Sequence, residues 1–312
     1  MVNLHCGDAL DAYECWPSPV TLISDGAYGV EGFPGDPSSP SGLLAWYRPH
    51  VEAWSRYATP LTTLWFWNTE IGWATVHPLL AQFGWEYVAC NVWDKGLAHV
   101  AGNVNSKTIR RYPVATEVCV QYVKAARCSY HGQSVTLQAW LRLEWQRSGL
   151  PLDEANRACG VKNAATRKYL TTCHRWYFPP PPVFELLVKH ANDHGHPAGR
   201  PYFSLDGERP ATAGDWSRMR SRFSLVEQGT TNVWREPSVR GATRLHPNQK
   251  PERLIERCVL ASTEVGDVVW EPFGGACTAA VVAKRHNRVP YAAEADLAFA
   301  AVARRRLEAN GV

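Results

Sequence analysis

A glycine-rich turn near the C-terminal end of the sequence has the residue types of a nucleoside-binding site. The run Asp267–Trp270 leads into Glu271–Thr278, which reads Glu-Pro-Phe-Gly-Gly-Ala-Cys-Thr, and a helical pattern follows. Such a turn lets the backbone approach a ligand closely, and an acid about 20 positions further on can hold a ribose. That acid is Glu294. The Gly-x-Gly-x-x-Gly signature of dinucleotide sites is absent, which argues against a nicotinamide cofactor.

A second segment, Asp25-Gly26-Ala27-Tyr28, places a carboxylate and a phenol directly after the apolar run Val20–Ile23. The carboxylate and the Gly26 carbonyl can accept hydrogen bonds from an amine, and the Tyr28 ring can stack on a planar group. The Gly-, Pro- and Ser-rich stretch 32–42 follows, which predicts a loop able to close over a substrate. The alternative is a turn or helix-cap role for Asp25, because Asp-Gly is a common turn pair.

The flanking patterns predict an α/β sheet domain, with β-branched and aromatic residues concentrated in short runs. The predicted strands are Val2–His5, Val20–Ile23, Leu61–Trp67, Tyr87–Trp93, Glu117–Val123, Asp267–Trp270 and Val289–Glu294. The predicted helices cover 42–58, 71–83, 252–262, 278–285 and 296–307.

The middle of the chain has a different, mainly helical pattern. An amphipathic helix is predicted over 135–147, and two helices over 152–160 and 163–170 are joined by a turn that contains Gly160, as in a helix-turn-helix. The run Pro179–Pro182 is predicted to be extended. On the helix-turn-helix interpretation the candidate DNA contacts are Lys162, Asn163, Thr166, Arg167 and Lys168. The alternative is a pair of helices that only pack together.

Composition excludes several classes of protein. Hydrophobic residues make up 45% and charged residues 20% of the chain, which is ordinary for a soluble globular protein. No apolar run approaches the ~20 residues of a membrane span, and no signal peptide begins the sequence, so we expect a cytoplasmic protein. The nine cysteines are scattered, which predicts reduced thiols and no metal site. Between Arg127 and Lys250, 18 Lys and Arg residues stand against 10 Asp and Glu residues, as suits a polyanionic partner.

These segments together resemble the β class of amino DNA methyltransferases, which use S-adenosylmethionine (AdoMet). His246–Pro251, the following helix, Glu271–Thr278 and Glu294 resemble motifs X, I and II, and Asp25–Tyr28 stands where Asp-Pro-Pro-Tyr belongs. The resemblance implies a Rossmann-like, mostly parallel seven-stranded α/β methyltransferase fold with a circularly permuted motif order. The strand near the N-terminus completes the cofactor half, so the last strands should lie in the middle of the sheet.

The resemblance also implies roles for individual residues. Asp25 and the Gly26 carbonyl would hold the amine, and Tyr28 would stack on a base flipped out of the duplex. Glu294 would bind the ribose, Asp8 the adenine, and Glu271 the methionine ammonium. Tyr122, in a segment similar to motif VIII, would pack near the base. The full set of expected AdoMet-binding residues is Asp8, Asp25, His246, Lys250, Glu271, Phe273, Gly275, Thr278 and Glu294.

The sequence departs from the family pattern at three places. Glu271 replaces the usual Asp, Cys277 replaces the final Gly of the turn, and Gly26-Ala27 replaces the two prolines. Losing two proline constraints costs at most about 2 kcal/mol. That cost is about thirtyfold in rate if it falls entirely on the barrier.

The sequence therefore predicts a catalytic domain of residues 1–125 and 245–312, with residues 126–244 inserted for target recognition. The expected reaction is site-specific methylation of duplex DNA at adenine N6. The alternatives are cytosine N4, RNA methylation, and a DNA-binding protein of the same fold with impaired catalysis. A cognate restriction endonuclease and a second copy of the chain are the protein partners that the resemblance allows.

Overall fold

A computed structural model of the protein describes residues 3–32, 35–100 and 109–310. Val2 of the first predicted strand, and Phe33 and Pro34 of the predicted loop, lie outside the described residues. The strands are β1 Asn3–Cys6, β2 Thr21–Ser24, β3 Thr63–Asn68, β4 Trp85–Asp94, β5 Thr116–Lys124, β6 Arg127–Tyr130, β7 Gln133–Thr136, β8 Val233–Arg235, β9 Val268–Glu271 and β10 Val289–Glu294. The helices are α1 Leu43–Tyr57, α2 Glu70–Gln82, α3 Leu137–Arg147, α4 Glu154–Ala158, α5 Ala164–Lys168, α6 Pro181–His194, α7 Ala213–Ser217, α8 Glu252–Ser262, α9 Thr278–Arg285 and α10 Leu297–Ala309.

Eight strands form one sheet in the order β1-β10-β9-β2-β3-β5-β4-β8. All neighbouring pairs are parallel except those that β5 makes with β3 and β4. The strands from the two ends of the sequence are interleaved, because β10 and β9 lie between β1 and β2. The expected mostly parallel α/β fold is confirmed, and so is the expected central position of the last strands.

Side-chain alternation along the strands supplies a core to each face of the sheet. On β3, Leu64 and Phe66 belong to one buried cluster, while Trp65 and Trp67 belong to another. The first cluster includes residues of α1 and α2, and the second includes residues of α8 and α9. Because both faces are covered, the strands read as nearly continuous apolar runs.

The chain divides into two compact units, residues 1–124 with 221–312, and residues 125–220. The smaller unit holds the β6–β7 hairpin and α3 to α7 around Trp140, Trp145 and Trp216. Its fully buried Glu144 accepts from the Phe203 amide at 2.8 Å and pairs with two arginines. The smaller unit is therefore mainly helical.

Two details differ from the sequence-based expectation. Residues 221–244, expected in the insertion, belong to the larger unit and supply the eighth strand, β8, which pairs with β4. Helix α6 begins at Pro181, inside the run expected to be extended. Proline is tolerated in the first helical turn because the amide hydrogen that it lacks has no helical partner there.

Candidate functional site

Acidic side chains collect at one edge of the sheet because the parallel strands end there. Asp25 follows β2, Glu271 ends β9 and Glu294 ends β10. Asp8 lies two residues beyond β1. Ligands of open α/β sheets bind at the carboxyl ends of the strands, so this edge is the expected position for a site.

A cavity of about 530 Å³ opens at this edge. Every residue expected at the cofactor and catalytic positions lines it: Asp8, Asp25, Gly26, Tyr28, His246, Lys250, Glu271, Phe273, Gly275, Thr278 and Glu294. The volume is in the range of pockets that take small molecules and cofactors. Segments separated by more than 200 positions in the sequence thus lie side by side.

A buried ion pair connects the two segments. The Nζ atom of Lys250 lies 2.7 and 2.9 Å from the two carboxylate oxygens of Asp25, and the lysine side chain is only 4% exposed. Burial lowers the pKa of Lys250, but Asp25 and Glu117 outweigh burial and hold the pKa above its usual value. The lysine therefore stays protonated and holds the Asp25 carboxyl group in a fixed position.

The Tyr28 hydroxyl donates to Asp25 Oδ1 at 2.8 Å and lies 3.2 Å from Glu117 Oε2. Burial, Asp25 and Glu117 all raise the pKa of Tyr28 well above its usual value, so the phenol remains neutral.

Packing explains why Gly26 and Ala27 can replace prolines. A Cβ atom at Gly26 would lie 2.7 Å from the Phe273 ring and 2.9 Å from the Tyr47 hydroxyl, so a larger residue does not fit there. Ala27 is fully buried, and its carbonyl accepts from the Tyr47 hydroxyl at 3.0 Å and from Asn68 Nδ2 at 2.9 Å. Within the described part of the chain, no group donates to the Gly26 carbonyl. That carbonyl can therefore accept a hydrogen bond from a ligand.

Glu271 is directed at the start of α9. Its two oxygens accept from the amides of Ala279 at 2.9 Å and Ala280 at 2.7 Å. The N-cap of that helix is Cys277, which is fully buried and in the left-handed conformation. A Cβ at Gly274 would lie 2.7 Å from Cys277 Sγ, so the cysteine requires glycine at this neighbour. Burial raises the pKa of Cys277, which favours a packing role for the thiol.

Glu294 ties the glycine-rich turn to the end of β10. It accepts from the Gly275 amide at 2.6 Å and from the Asp296 amide at 2.9 Å. Beside it, the His246 ring contacts Phe299 edge to face with centroids 4.3 Å apart. These residues form a half-buried wall with one acid and two rings, which suits a nucleoside.

The DNA methylase family matches residues 21–305, more than half of the chain. The chain belongs to the N6/N4 DNA methylase family. The resemblance drawn from the sequence motifs is confirmed.

Individual relatives of this DNA methylase match shorter stretches. The type II methyltransferase M2.DpnII of Streptococcus pneumoniae is 50% identical over 65 residues, which are 21% of this chain and 24% of that protein. The DNA adenine methyltransferase YhdJ of Escherichia coli (strain K12) is 39% identical over 80 residues, 25% of this chain and 27% of that protein. The matches span about a quarter of the length of these curated relatives.

Solved structures of similar fold cover nearly the whole DNA methylase chain. The M1.HpyAVI–SAM complex covers 98% of this chain and 99% of its own, with a TM-score of 0.54 and 14% identity. The cytosine-N4-specific PvuII DNA methyltransferase covers 97% of this chain and 85% of its own, with a TM-score of 0.56 and 12% identity. At such low sequence identities, these comparisons show only that the folds are similar.

Sequence reasoning missed part of the cavity wall and misjudged one residue. Trp46 and His50 of α1 line the cavity next to Phe273, with the Phe273 ring centroid 5.1 Å from Trp46 and 4.9 Å from His50. Burial lowers the pKa of His50 to about 4, so this imidazole is neutral. Tyr122, expected near a base, is fully buried and bonds to Trp73 and His77 of α2. The residue of β5 that contacts the site is Glu117, at the other end of the strand.

The segment predicted as a helix-turn-helix contains two short helices, α4 and α5. Asn156 joins them, since its amide donates to Thr166 Oγ1 at 2.7 Å. Thr166 also donates to the Leu152 carbonyl at 3.0 Å, so its side chain serves the helix pair. Arg167 and Lys168 are exposed. They line a second cavity, of about 550 Å³, whose other lining residues are Asn163, Ala164, His174, Arg175, Trp176 and Tyr177. Lys162 is exposed beside it.

Replacing Glu271 with glutamine should change how stability depends on pH. Burial raises the pKa of Glu271 to about 8 from an ordinary 4.5, although hydrogen bonds from Ala279 and Ala280 oppose the rise. Between about pH 4.5 and 8, the folded protein therefore holds a proton that the unfolded chain has released. The contribution of Glu271 to the free energy of unfolding decreases over this pH range and is lost above it. Relative to Glu271→Gln, the unmodified protein should lose on the order of a few kcal/mol of unfolding free energy from pH 5 to 9.

The measurement is urea unfolding at pH 5, 7 and 9 without ligand. Glu86→Gln, at an exposed position on β4, is the matched control and should follow the unmodified protein. A difference between Glu271→Gln and the unmodified protein that stays constant with pH contradicts the assignment.

Proposed function

We propose that this DNA methylase transfers the methyl group of AdoMet to an exocyclic amino group in a specific sequence of duplex DNA, at adenine N6. The observation that carries the proposal is the shared cavity. Four residues line this one cavity. Asp25 and the Gly26 carbonyl can accept from an amine, and Phe273 and Glu294 suit a nucleoside. An amine-binding group and a nucleoside-binding wall are thereby adjacent.

The cavity residues fit AdoMet. The Glu294 carboxylate, fixed by two backbone amides, retains lone pairs for the ribose hydroxyls. Phe273 offers an aromatic surface to the adenine, and Asp8 lies on the cavity wall within reach of its polar edge. Asp25 supplies negative charge for the sulfonium, and Glu271, protonated below about pH 8 without ligand, would ionise beside the methionine ammonium. The close approach of the backbone is preserved at Gly275, where a Cβ would lie 3.1 Å from His246.

When bound, AdoMet would supply an electrophilic methyl group and become a neutral thioether, and the amine would release one proton to solvent. The amine of adenine is a poor nucleophile because its lone pair is delocalised into the ring. Asp25 and the Gly26 carbonyl would accept its two N–H bonds and direct the lone pair toward the methyl group. Tyr28 would stack on the base, which has left the duplex.

Asp25 supports adenine N6 over cytosine N4, because serine is more usual at the head of this motif in enzymes that act on cytosine. The relative from E. coli is named a DNA adenine methyltransferase, and its similarity over a quarter of this chain supports the same choice of base. A cognate restriction endonuclease and a homodimer remain predictions.

The smaller unit, residues 125–220, is the proposed target-recognition domain. Arg167, Lys168, His174 and Arg175 line one cleft together with Trp176 and Tyr177, and no acidic residue lines it. Among the described residues, none of these three Lys and Arg side chains forms an ion pair with a carboxylate. Unpaired cations beside aromatic rings favour a phosphate backbone as the ligand.

Asp25→Ala should reduce methyl transfer by about 100- to 1000-fold, because the amine loses an acceptor that acts in the transition state. Tyr28→Ala should lower kcat more than it lowers AdoMet affinity. The assay is incorporation of tritiated methyl groups into DNA, followed by nucleoside mass spectrometry to separate N6-methyladenine from N4-methylcytosine. Equal background counts from the unmodified protein and Asp25→Ala would instead favour a DNA-binding protein without catalysis. An RNA substrate, assayed in parallel, tests the remaining alternative.

Glu294→Ala should weaken AdoMet binding by roughly 10- to 100-fold, because a charge-assisted hydrogen bond contributes about 1.5–3 kcal/mol. Isothermal titration calorimetry measures this affinity directly. Glu308→Ala, at an exposed position of α10 that does not line the cavity, is the matched control and should keep the affinity of the unmodified protein. An AdoMet affinity for Glu294→Ala equal to that of the unmodified protein would remove Glu294 from the site.

Replacing both Arg167 and Lys168 with glutamate should weaken DNA binding. The slope of log Kd against the logarithm of the salt concentration should decrease by about 2, one for each lost phosphate contact. Arg157→Glu with Lys189→Glu is the matched control. Both residues are exposed in the same unit, and each is paired with a carboxylate, Glu154 and Asp193 respectively. Fluorescence anisotropy over a range of salt concentrations measures the slope. An unchanged slope for the first pair would mean that this cleft does not hold DNA.

A further inference from the structure

Glu117, on strand β5, contacts both Tyr28 and Lys250 of the proposed site. It is the second residue of β5, and because β5 is antiparallel to β3, its beginning lies where β3 ends at Asn68. Its side chain is 15% exposed. Glu117 Oε2 lies 3.2 Å from the Tyr28 hydroxyl and 3.3 Å from Lys250 Nζ, and the other oxygen pairs with Lys95.

The four charged groups alternate in sign. Asp25 pairs with Lys250, Lys250 with Glu117, and Glu117 with Lys95. Burial raises the pKa of Glu117, but Lys250 and Lys95 outweigh burial and hold the pKa below its usual value. Glu117 therefore stays ionised and remains a hydrogen-bond acceptor.

The Tyr28 hydroxyl has one proton and two carboxylate neighbours. The proton is donated to Asp25 Oδ1 at 2.8 Å, while Glu117 Oε2 lies slightly farther away at 3.2 Å. A small rotation about the C–O bond of the phenol moves the proton from one acceptor to the other without moving the ring. The hydroxyl thus has two alternative partners in one ring position.

Asp25 Oδ1 is fully used in this arrangement, because it accepts from both Tyr28 and Lys250. The second oxygen, Oδ2, accepts from Lys250 alone, so an amine that binds to Oδ1 must compete with Tyr28 or Lys250. If the Tyr28 hydroxyl released Asp25 with no other acceptor, a buried polar group would be left unsatisfied, which costs about 1–3 kcal/mol.

We propose that Glu117 is a positioning residue that accepts the Tyr28 hydroxyl when Asp25 turns to the substrate amine. Its second function is to share Lys250 with Asp25, since Lys250 Nζ lies 3.3 Å from Glu117 Oε2. The inference rests on the proposed methyl transfer and adds a residue to that same site.

The kinetic test compares Glu117→Ala in the unmodified protein and in Tyr28→Phe, which lacks the hydroxyl but keeps the ring. In the unmodified protein the substitution should lower kcat by roughly 10- to 100-fold. In Tyr28→Phe the loss should be at least about fivefold smaller, because no hydroxyl needs a new acceptor. Glu117→Gln, which keeps an acceptor oxygen, should retain more activity than Glu117→Ala. AdoMet affinity should stay within about twofold in every variant, and Glu86→Gln is the control.

An equal loss in both backgrounds, or unchanged kcat in Glu117→Ala, overturns the inference. A loss that appears equally in AdoMet affinity and melting temperature assigns Glu117 a structural role only, and this also overturns it.

A thermal unfolding series tests the exchange of hydrogen bonds without substrate. Tyr28→Phe should lower Tm by about 2 °C in the unmodified protein and by a similar amount in Asp25→Ala, where Glu117 still accepts. It should lower Tm no further in Asp25→Ala with Glu117→Ala. If the effect of Tyr28→Phe already vanishes in Asp25→Ala, Glu117 is not the alternative acceptor.

The two measurements separate the possible failures. If the unmodified protein transfers no methyl group but the unfolding series gives the expected result, the proposed function is refuted while the hydrogen-bond exchange at Glu117 is supported. An active protein with additive kinetic losses refutes the role of Glu117 alone.

Discussion

A buried lysine between two carboxylates holds the site together. Removing an ammonium group from water costs several kcal/mol, so Lys250 is stable in the interior only because Asp25 and Glu117 are in contact with it. Asp25, Glu117 and Lys250 are far apart in the sequence. Their mutual dependence fixes the loop after β2 against the segment before α8. It also fixes the distance between the proposed amine-binding group, Asp25, and the cavity wall that contains Phe273 and Glu294.

The sheet makes this contact possible through its strand order. β9 pairs directly with β2, so the turn that follows β9 and the loop that follows β2 leave the sheet side by side. Parallel neighbours end at the same edge, which concentrates the carboxyl groups of Asp25, Glu271 and Glu294 in one place. Lys250 pairs with Asp25, and backbone amides donate to Glu271 and Glu294. The remaining lone pairs of these oxygens are available to a ligand in the cavity.

Local patterns in the sequence predicted most of this fold, because strand and helix periodicity and the glycine-rich turn depend on neighbouring residues. The same patterns did not reveal Glu117, Trp46 or His50, whose positions depend on the antiparallel register of β5 and on the packing of α1. Tyr122 was misjudged for the same reason, since alternation along a strand does not tell which end approaches the site. Residues 221–244 were assigned to the insertion because β8 is only three residues long and its partner, β4, is distant in sequence.

The lost prolines illustrate how tertiary contacts can replace a local constraint. Proline would limit the loop in the unfolded chain, whereas Gly26 and Ala27 do not. In the folded protein, however, the Ala27 carbonyl is held by two donors, and Gly26 is enclosed by Phe273 and the Tyr47 hydroxyl. A proline at Gly26 would collide with these rings, so the substitution and the aromatic packing belong together. The loop therefore reaches a defined conformation through its neighbours, and the cost of the missing prolines falls on folding rather than on the shape of the site.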